Sequence, residues 1–320
     1  MRQTKLGIGL ALLAASACPP LAAQDPDDGS PRLVQVTDSV FRVVHRPGAA
    51  NTSVVVTDEG LIVIDATCRG QGNPVWLKSE LDRRYDVPVR YVILSHDHED
   101  HICGLQIFDE TAITVSHANA RKHIVREGRN TSVPDVVFQQ EMEIHLGGKT
   151  LYLYYFGHTH SNNLIQIHIP EERILIAPDL AWGGTEKALV LPDFRDAHVE
   201  NLIDTLGVLA KLDDVDIVVP GHMEPTTQQS FLYFRGYVTA LQERVLAEMV
   251  TGATIEQILE RVTMEDFSDY ENFDTWLHSN VISMWDNMYR WREPNYNDAP
   301  GNYQEVYPIG FPIGNFEPSE

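Results

Sequence analysis

Apolar and polar positions alternate in short runs near the start of the chain, at residues 41–45, 53–57 and 61–65, with the turn Asp58-Glu59-Gly60 joining the last two. Side chains of an extended chain point to opposite faces in turn, so these runs predict strands in a β meander. Helical spacing follows at 74–84, then a strand at 90–94 and a further strand and helix across 113–124. From residue 141 the pattern starts again. Residues 141–145, 150–156, 164–169 and 173–177 read as strands, with Gly147-Gly148 and Pro170-Glu171-Glu172 as turns. An amphipathic stretch at 197–212 leads into the apolar strand 216–220, and helices are predicted at 229–251, 254–262 and 270–291. Residues 293–320, crowded with Pro, Gly, Asn and Tyr, have no period and read as an irregular tail. Two successive β-then-α halves predict an α/β (α+β) chain whose two sheets pack face to face with helices outside. That is a four-layer αββα sandwich with a C-terminal helical extension from about residue 229, all within 24–292.

Directly behind the strand at 90–94 stands Ser95-His96-Asp97-His98-Glu99-Asp100-His101. Imidazole nitrogen and carboxylate oxygen are both zinc donors, and so dense a group in a chain with 13 His predicts a metal site. In an extended segment His96, His98 and Asp100 share one side and can converge on one small volume. His101 breaks that alternation. It points elsewhere unless the chain turns into a helix near 102–104, and a second metal is then its simplest use. Three more polar residues stand at the ends of apolar strands, where open sheets place their sites: His160, Asp179 and His222. Each has an ordinary reading alone, as a surface histidine or a turn aspartate. Together with the upstream cluster they read as one centre.

The order His-x-His-x-Asp-His, then a later His, an Asp and a His after a strand, resembles the metallo-β-lactamase fold hydrolases across residues 32 to about 225. The resemblance implies two zinc ions per chain in the cleft between the sheet edges. His96, His98 and His160 would hold the first, Asp100, His101 and His222 the second, and Asp179 would bridge them. His158 is a rival for the third histidine. The family's ten-residue run from that histidine to a strand-closing proline selects His160, with Pro170, and leaves His158 beside the metals or facing substrate. Asp65 resembles the family's carboxylate that orients the histidine loop. The implied reaction is hydrolysis of a small ester, lactone or amide by hydroxide held between the ions. Asp100 would orient the hydroxide or take its proton, and Asn162 or Asn163 would donate to the developing oxyanion. Asp179 departs from the Cys or Ser of the well-known lactamases. Trp182 stands where several of them keep a lysine for the drug's carboxylate, with Lys187 further on, so β-lactams are expected only as side substrates. A dedicated metallo-β-lactamase and a non-catalytic metal-binding protein are the alternatives. Residues 269–277, with Asn280 and 288–290, are similar to exported family members found near sulfur-oxidation and quinoprotein systems.

Composition adds the setting. Arg2 and Lys5, the apolar run 6–17 and Pro19-Pro20-Leu21-Ala22-Ala23 read as a signal peptide covering 1–23, which predicts a periplasmic or secreted protein. The apolar run is about twelve residues, whereas a membrane span needs about twenty. A lipid anchor at Cys18 is the alternative. The formal charge of −22 excludes nucleic acid as a partner, because phosphate backbones would be repelled, and leaves a small-molecule substrate. Of three cysteines, Cys68 and Cys103 remain after cleavage; two buried free thiols are the expectation, with a disulfide as the alternative in an exported chain.

Overall fold

The computed structural model describes residues 30–44 and 48–291. The signal peptide expected at 1–23, with the alternative anchor at Cys18, and the irregular tail expected at 293–320 lie outside the described residues. Strands β1 (Arg32–Gln35), β2 (Val40–Val44), β3 (Ser53–Thr57) and β4 (Gly60–Ile64) form an antiparallel meander. Helix α1 (Pro74–Arg84), whose first turn is capped by the Asn73 side chain, crosses to β5 (Val89–Leu94), which runs parallel to β4. After the single turn α2 (Glu99–Ile102) come β6 (Ile113–His117), α3 (Ala118–Glu127) and β7 (Val136–Phe138), which complete a seven-stranded sheet in chain order. The second sheet holds β8 (Glu141–Leu146), β9 (Lys149–Tyr154), β10 (Gln166–Ile169), β11 (Ile174–Trp182) and β12 (Ile217–His222), in the order β12-β11-β10-β9-β8. Helix α4 (Val199–Leu209) crosses between the parallel pair β11 and β12, and α5 (Gln229–Val250), α6 (Ile255–Arg261) and α7 (Phe273–Trp291) follow.

Alternation along the central strands assigns each face to a layer. In β4, Ile62 and Ile64 point into the core between the sheets, while Leu61 and Val63 join Leu77 and Leu81 of α1 on the outside. In β11, Ile174 and Ile176 face the first sheet, and Leu175 and Ala177 pack under Leu202 and Leu206 of α4 and Phe234 of α5. The expected αββα sandwich is therefore the observed one. Both faces of these strands are covered, which is why 61–64 and 174–177 are apolar without a break and 61–65 does not keep the alternation expected of it. Strands β1 and β7 gave no signal because they are short edges; Val136 and Val137 of β7 are exposed. No helix among the described residues is long and apolar enough to cross a membrane.

The C-terminal extension is tied to the long connection between β11 and α4. Side chains along one face of α7 bond to its backbone: Asn280 Nδ2 donates to Leu191 O (2.8 Å), Ser283 Oγ accepts from Phe194 N (3.0 Å), and Asn287 Nδ2 donates to Phe194 O (2.7 Å) and Ala197 O (2.6 Å). These polar residues are almost fully buried. Asn287→Ala removes the partner of two carbonyls at once and should lower stability by about 2 kcal/mol in urea unfolding. A loss within 0.5 kcal/mol would show that water replaces the amide without cost.

Candidate metal centre

The histidine cluster sits where β5 stops. Asp65, just past β4, has the left-handed φ of 57°, and this turns its carboxylate under the loop. Its Oδ1 accepts from Ser95 N (2.8 Å), and its Oδ2 accepts from Ser95 Oγ (2.6 Å) and faces His101 Nδ1 (3.1 Å). Asp65 therefore stands where the resemblance put it, beneath the ligand loop. The second sheet holds the same loop from the other side, through Ile165 N to Ser95 O (2.9 Å) and Asp97 N to Asn163 Oδ1 (2.9 Å).

The chain turns helical at Glu99, earlier than the expected turn near 102–104. Strand alternation therefore does not reach Asp100. It leaves the side shared by His96 and His98 and lies with His101 and His222, a correction to the strand-parity expectation that agrees with the division the resemblance implied.

Asp179 reaches the centre through an irregularity. The register between β11 and β12 shifts between Ala177 and Trp182, and Asp179 has φ 51°, so its side chain swings out of the strand's own alternation. Gly221 makes the room. A Cβ there would stand 2.7 Å from Asp179 N and closer still to its Oδ1. Asp179 Oδ2 lies 3.4 Å from His96 Nε2 and 3.4 Å from His160 Nε2, and the latter is 3.1 Å from His98 Nδ1. Its other oxygen, Oδ1, lies 3.3 Å from His101 Nε2 and 3.6 Å from His222 Nε2, which is 3.8 Å from Asp100 Oδ2. Two groups of donors result, His96, His98 and His160 on one oxygen and Asp100, His101 and His222 on the other, with donor atoms within each group inside 4.8 Å of one another.

These residues fit metal ions. His96 Nε2, His101 Nε2 and Asp179 Oδ1 are buried and have no hydrogen-bond partner, a costly arrangement unless something binds them. The far ring nitrogens are engaged: His96 Nδ1 with Ser95 Oγ (2.9 Å), His101 Nδ1 with Asp65, and His222 Nδ1 with Gly48 O (3.1 Å). Bonds at Nδ1 leave the Nε2 lone pairs aimed inward, and a mixed imidazole and carboxylate set suits zinc better than calcium or magnesium. Burial pushes His96 down to about 3 and His160 well below the ordinary histidine value, so both are neutral donors. Burial also disfavours charge on His101, but Asp179 and Asp65 on either side outweigh it and hold its pKa well above the usual value.

His160, not His158, joins the cluster. The His158 Nε2–H group donates to Asp196 O (2.5 Å), so its ring faces a neighbouring cavity of about 360 Å³. Asn163 does not fit the oxyanion role. Both hydrogens of its amide are used inside the fold, toward Asp97 Oδ1 (2.8 Å) and Asn162 Oδ1 (3.0 Å), and its oxygen holds Asp97 N. The cavity opens beside His98, and Arg126, Arg129 and Arg195 line it with His123 and His158. Sequence reading missed these arginines because Arg195, on the connection before α4, is far along the chain from Arg126 and Arg129 at the end of α3, and only the fold brings them together. The two cysteines correct a second expectation: Cys68 and Cys103 form a disulfide, with Cα atoms 5.4 Å apart.

Residues 45–222 match the sequence model of the metallo-beta-lactamase superfamily, and the chain belongs to that superfamily of generally hydrolytic metalloenzymes. It is similar to the alpha subunit of the 2,4-dinitroanisole O-demethylase of Nocardioides sp. strain JS1661, 24% identical over 247 residues that cover 76% of this chain and 68% of the relative. The metallo-beta-lactamase type 2 of Bacillus cereus is 24% identical over 176 residues, 55% of this chain and 67% of the relative. Among solved structures, a metallo-beta-lactamase from Pontibacter korlensis has a TM-score of 0.59 at 18% identity, covering 66% of this chain and 99% of its own. A sec-alkylsulfatase from Pseudomonas sp. has a TM-score of 0.64 at 16% identity, covering 84% of this chain and 51% of its own. At such identities the solved structures share the fold.

Asp65→Asn keeps the shape and tolerates the left-handed backbone but removes the charge behind His101. Zinc affinity, measured by chelator competition, should fall about 10- to 100-fold; unchanged affinity would remove Asp65 from the centre. A metal must also displace the proton that Asp179 and Asp65 favour on His101. Affinity should therefore rise with pH, about tenfold per unit while that proton is being displaced, and a flat profile between pH 6 and 8 would contradict the assignment.

Proposed function

We propose that the chain is an exported, dinuclear zinc hydrolase that cleaves a small ester, lactone or amide carrying a negative charge. One observation carries this reading: a buried carboxylate, Asp179, turns each of its oxygens to a different group of imidazoles. His96, His98 and His160 would hold one ion, Asp100, His101 and His222 the other, and Asp179 both. A pair of such ions supplies water activation near neutral pH and Lewis-acid polarisation of the scissile bond.

The chain's own residues do the rest. Asp100 is only half-buried, and its carboxylate at the edge of the centre is placed to take the proton of the attacking water. Asp65 and Gly48 O hold the Nδ1–H groups of His101 and His222, so that Nε2 is the atom each would present to an ion, in His101 once its proton is displaced. The substrate would lie with its reacting group at the centre and its anionic group in the cavity beside His98. Three guanidinium groups there oppose the field of a chain with formal charge −22. Glu127 and Asp193, which pair with these arginines, do not line the cavity. Asp97 and Asp196 do line it: Asp97 is bonded to Asn163 and His123 and lies 3.7 Å from Arg129, and Asp196 interacts electrostatically with Arg195, so three guanidinium groups there stand against two carboxylates.

A dedicated β-lactamase is the weaker reading. Trp182 stacks on His222 with ring centres 5.2 Å apart, and Lys187 is bonded to Asp269 (2.6 Å) and lies over the rings of Tyr233 and Tyr270. The Trp182 Nε1 donor is buried and uncharged and the Lys187 charge is already paired, so neither offers a free cation to a drug's carboxylate.

Turnover of a panel of esters, lactones and amides, each in a neutral and an anionic form and set beside a cephalosporin and a carbapenem, tests the proposal. Activity should disappear on chelation, return with zinc, favour the anionic members, and fall about 10²- to 10⁴-fold in kcat for Asp100→Asn. Turnover indifferent to chelation would refute the zinc mechanism, and a β-lactam preferred by orders of magnitude would reverse the ranking.

A further inference from the structure

The metal groups differ in how their supporting chain is held. His96 and His98 follow directly from β5, and their loop is fixed by Asp65, Ser95, Asn163 and Ile165. Asp100 and His101 instead stand on α2, a single helical turn of four residues. One turn has no stability of its own, so tertiary ties must fix it. Its ties run chiefly to the segment just past β4 and, at its C-terminal end, to Asn130, whose backbone O accepts from Gly104 N (2.8 Å) and whose Nδ2 faces Cys103 Sγ (3.5 Å). Ala66 N donates to His101 O (2.6 Å), Ala66 pairs with Ile102 in an isolated bridge, and Asp65 faces His101 Nδ1. The disulfide closes this same seam, three residues beyond Asp65 and two beyond His101.

We infer that the Cys68–Cys103 disulfide is a positioning device for the Asp100, His101 and His222 half of the centre, selectively setting its metal affinity. The inference rests on the two-metal reading above. With the bond in place, α2 is held at both edges of the seam, and Asp100 and His101 keep their aim at His222. With the bond cut, only the hydrogen bond from Gly104 N to Asn130 O holds the end of the turn, which can loosen from Cys103 backwards, and His101 is the first donor reached. The other half lies upstream on the strand end, where the disulfide bears no load. Gly104, with φ 82°, is pressed into the same corner; a Cβ there would be 3.0 Å from Pro74 and 3.3 Å from Cys68 Sγ. The bond is also within reach of solvent. Cys68 is exposed on the wall of an open groove of about 510 Å³ that Pro74, Val75 and Ile107 line. A dithiol that gives up two electrons and two protons becomes a disulfide as this one becomes two thiols, so the metal content would follow the redox state of the surroundings.

The test is a cobalt or zinc titration of the full chain, oxidised, reduced with a phosphine, and as the double variant Cys68→Ser/Cys103→Ser, which excludes new thiolate ligands. Metal stoichiometry, chelator competition and far-ultraviolet circular dichroism are read for each. The oxidised chain should bind two equivalents. The reduced chain and the double variant should keep one at unchanged affinity and hold the second about 10- to 100-fold more weakly, with the helix and strand signal intact. If the double variant does not fold, the same selectivity is read on folded wild type as release of one equivalent into a chromogenic chelator on adding phosphine. Equal retention of both metals, or parallel weakening of both, would overturn the inference and leave the bond a general staple. Failure of the oxidised chain to take up any metal would overturn the two-metal reading itself, and this inference with it.

Discussion

A buried carboxylate surrounded by imidazoles constrains everything around it. Asp179 sits in an unusual backbone conformation, on a bulged strand, against a glycine whose missing side chain gives it room, with one oxygen left without a hydrogen-bond partner. Each of these features costs stability, and local rules of strand structure are broken at three neighbouring positions. Proteins keep such costs where function demands them. The surrounding sandwich is regular by comparison, and its alternation and crossover helices serve to bring two sheet edges to one point.

Much of this was legible in the sequence for a physical reason. Strands covered on both faces are mostly apolar, so 61–65, 90–94, 173–177 and 216–220 stood out, the last although β12 is an edge of its sheet, and every ligand candidate except His160 lies just past one of them. Edge strands β1 and β7 were not legible, since three or four partly exposed residues carry too little pattern. The site was readable as a list of residues but not as a geometry. Asp100 belongs with His101 because one helical turn begins at Glu99, and nothing in the pattern marks that onset. Asn163 looked like a catalytic donor from its nearness to His160, yet its amide is spent on Asp97. The disulfide was misread because 35 residues separate its cysteines, and only the pairing of β4 with β5 brings them together.

The C-terminal extension shows how material beyond the shared superfamily region takes part in the site. Helix α7 buries asparagines and a serine against backbone carbonyls and amides of the connection before α4, and that connection carries Arg195 and Asp196 to the cavity wall. A surface loop held in this way is as defined as a strand, although its sequence has no period. Recognition can then be precise on a segment that would otherwise be mobile, because the loop's polar groups are satisfied from within.

The division of donors between the halves has a mechanical meaning. His96, His98, Asp100 and His101 come from the first sheet's side, and His160, Asp179 and His222 from the second. Ions held by both would act as a clasp across the sandwich, and their binding energy would add to the docking of one half on the other. Scarcity of metal would then be felt as loosening along the seam between the sheets. The same clasp makes the centre a gauge of alignment: a substitution deep between the sheets, far from any ligand, could reveal itself first as a chain that no longer keeps its metals.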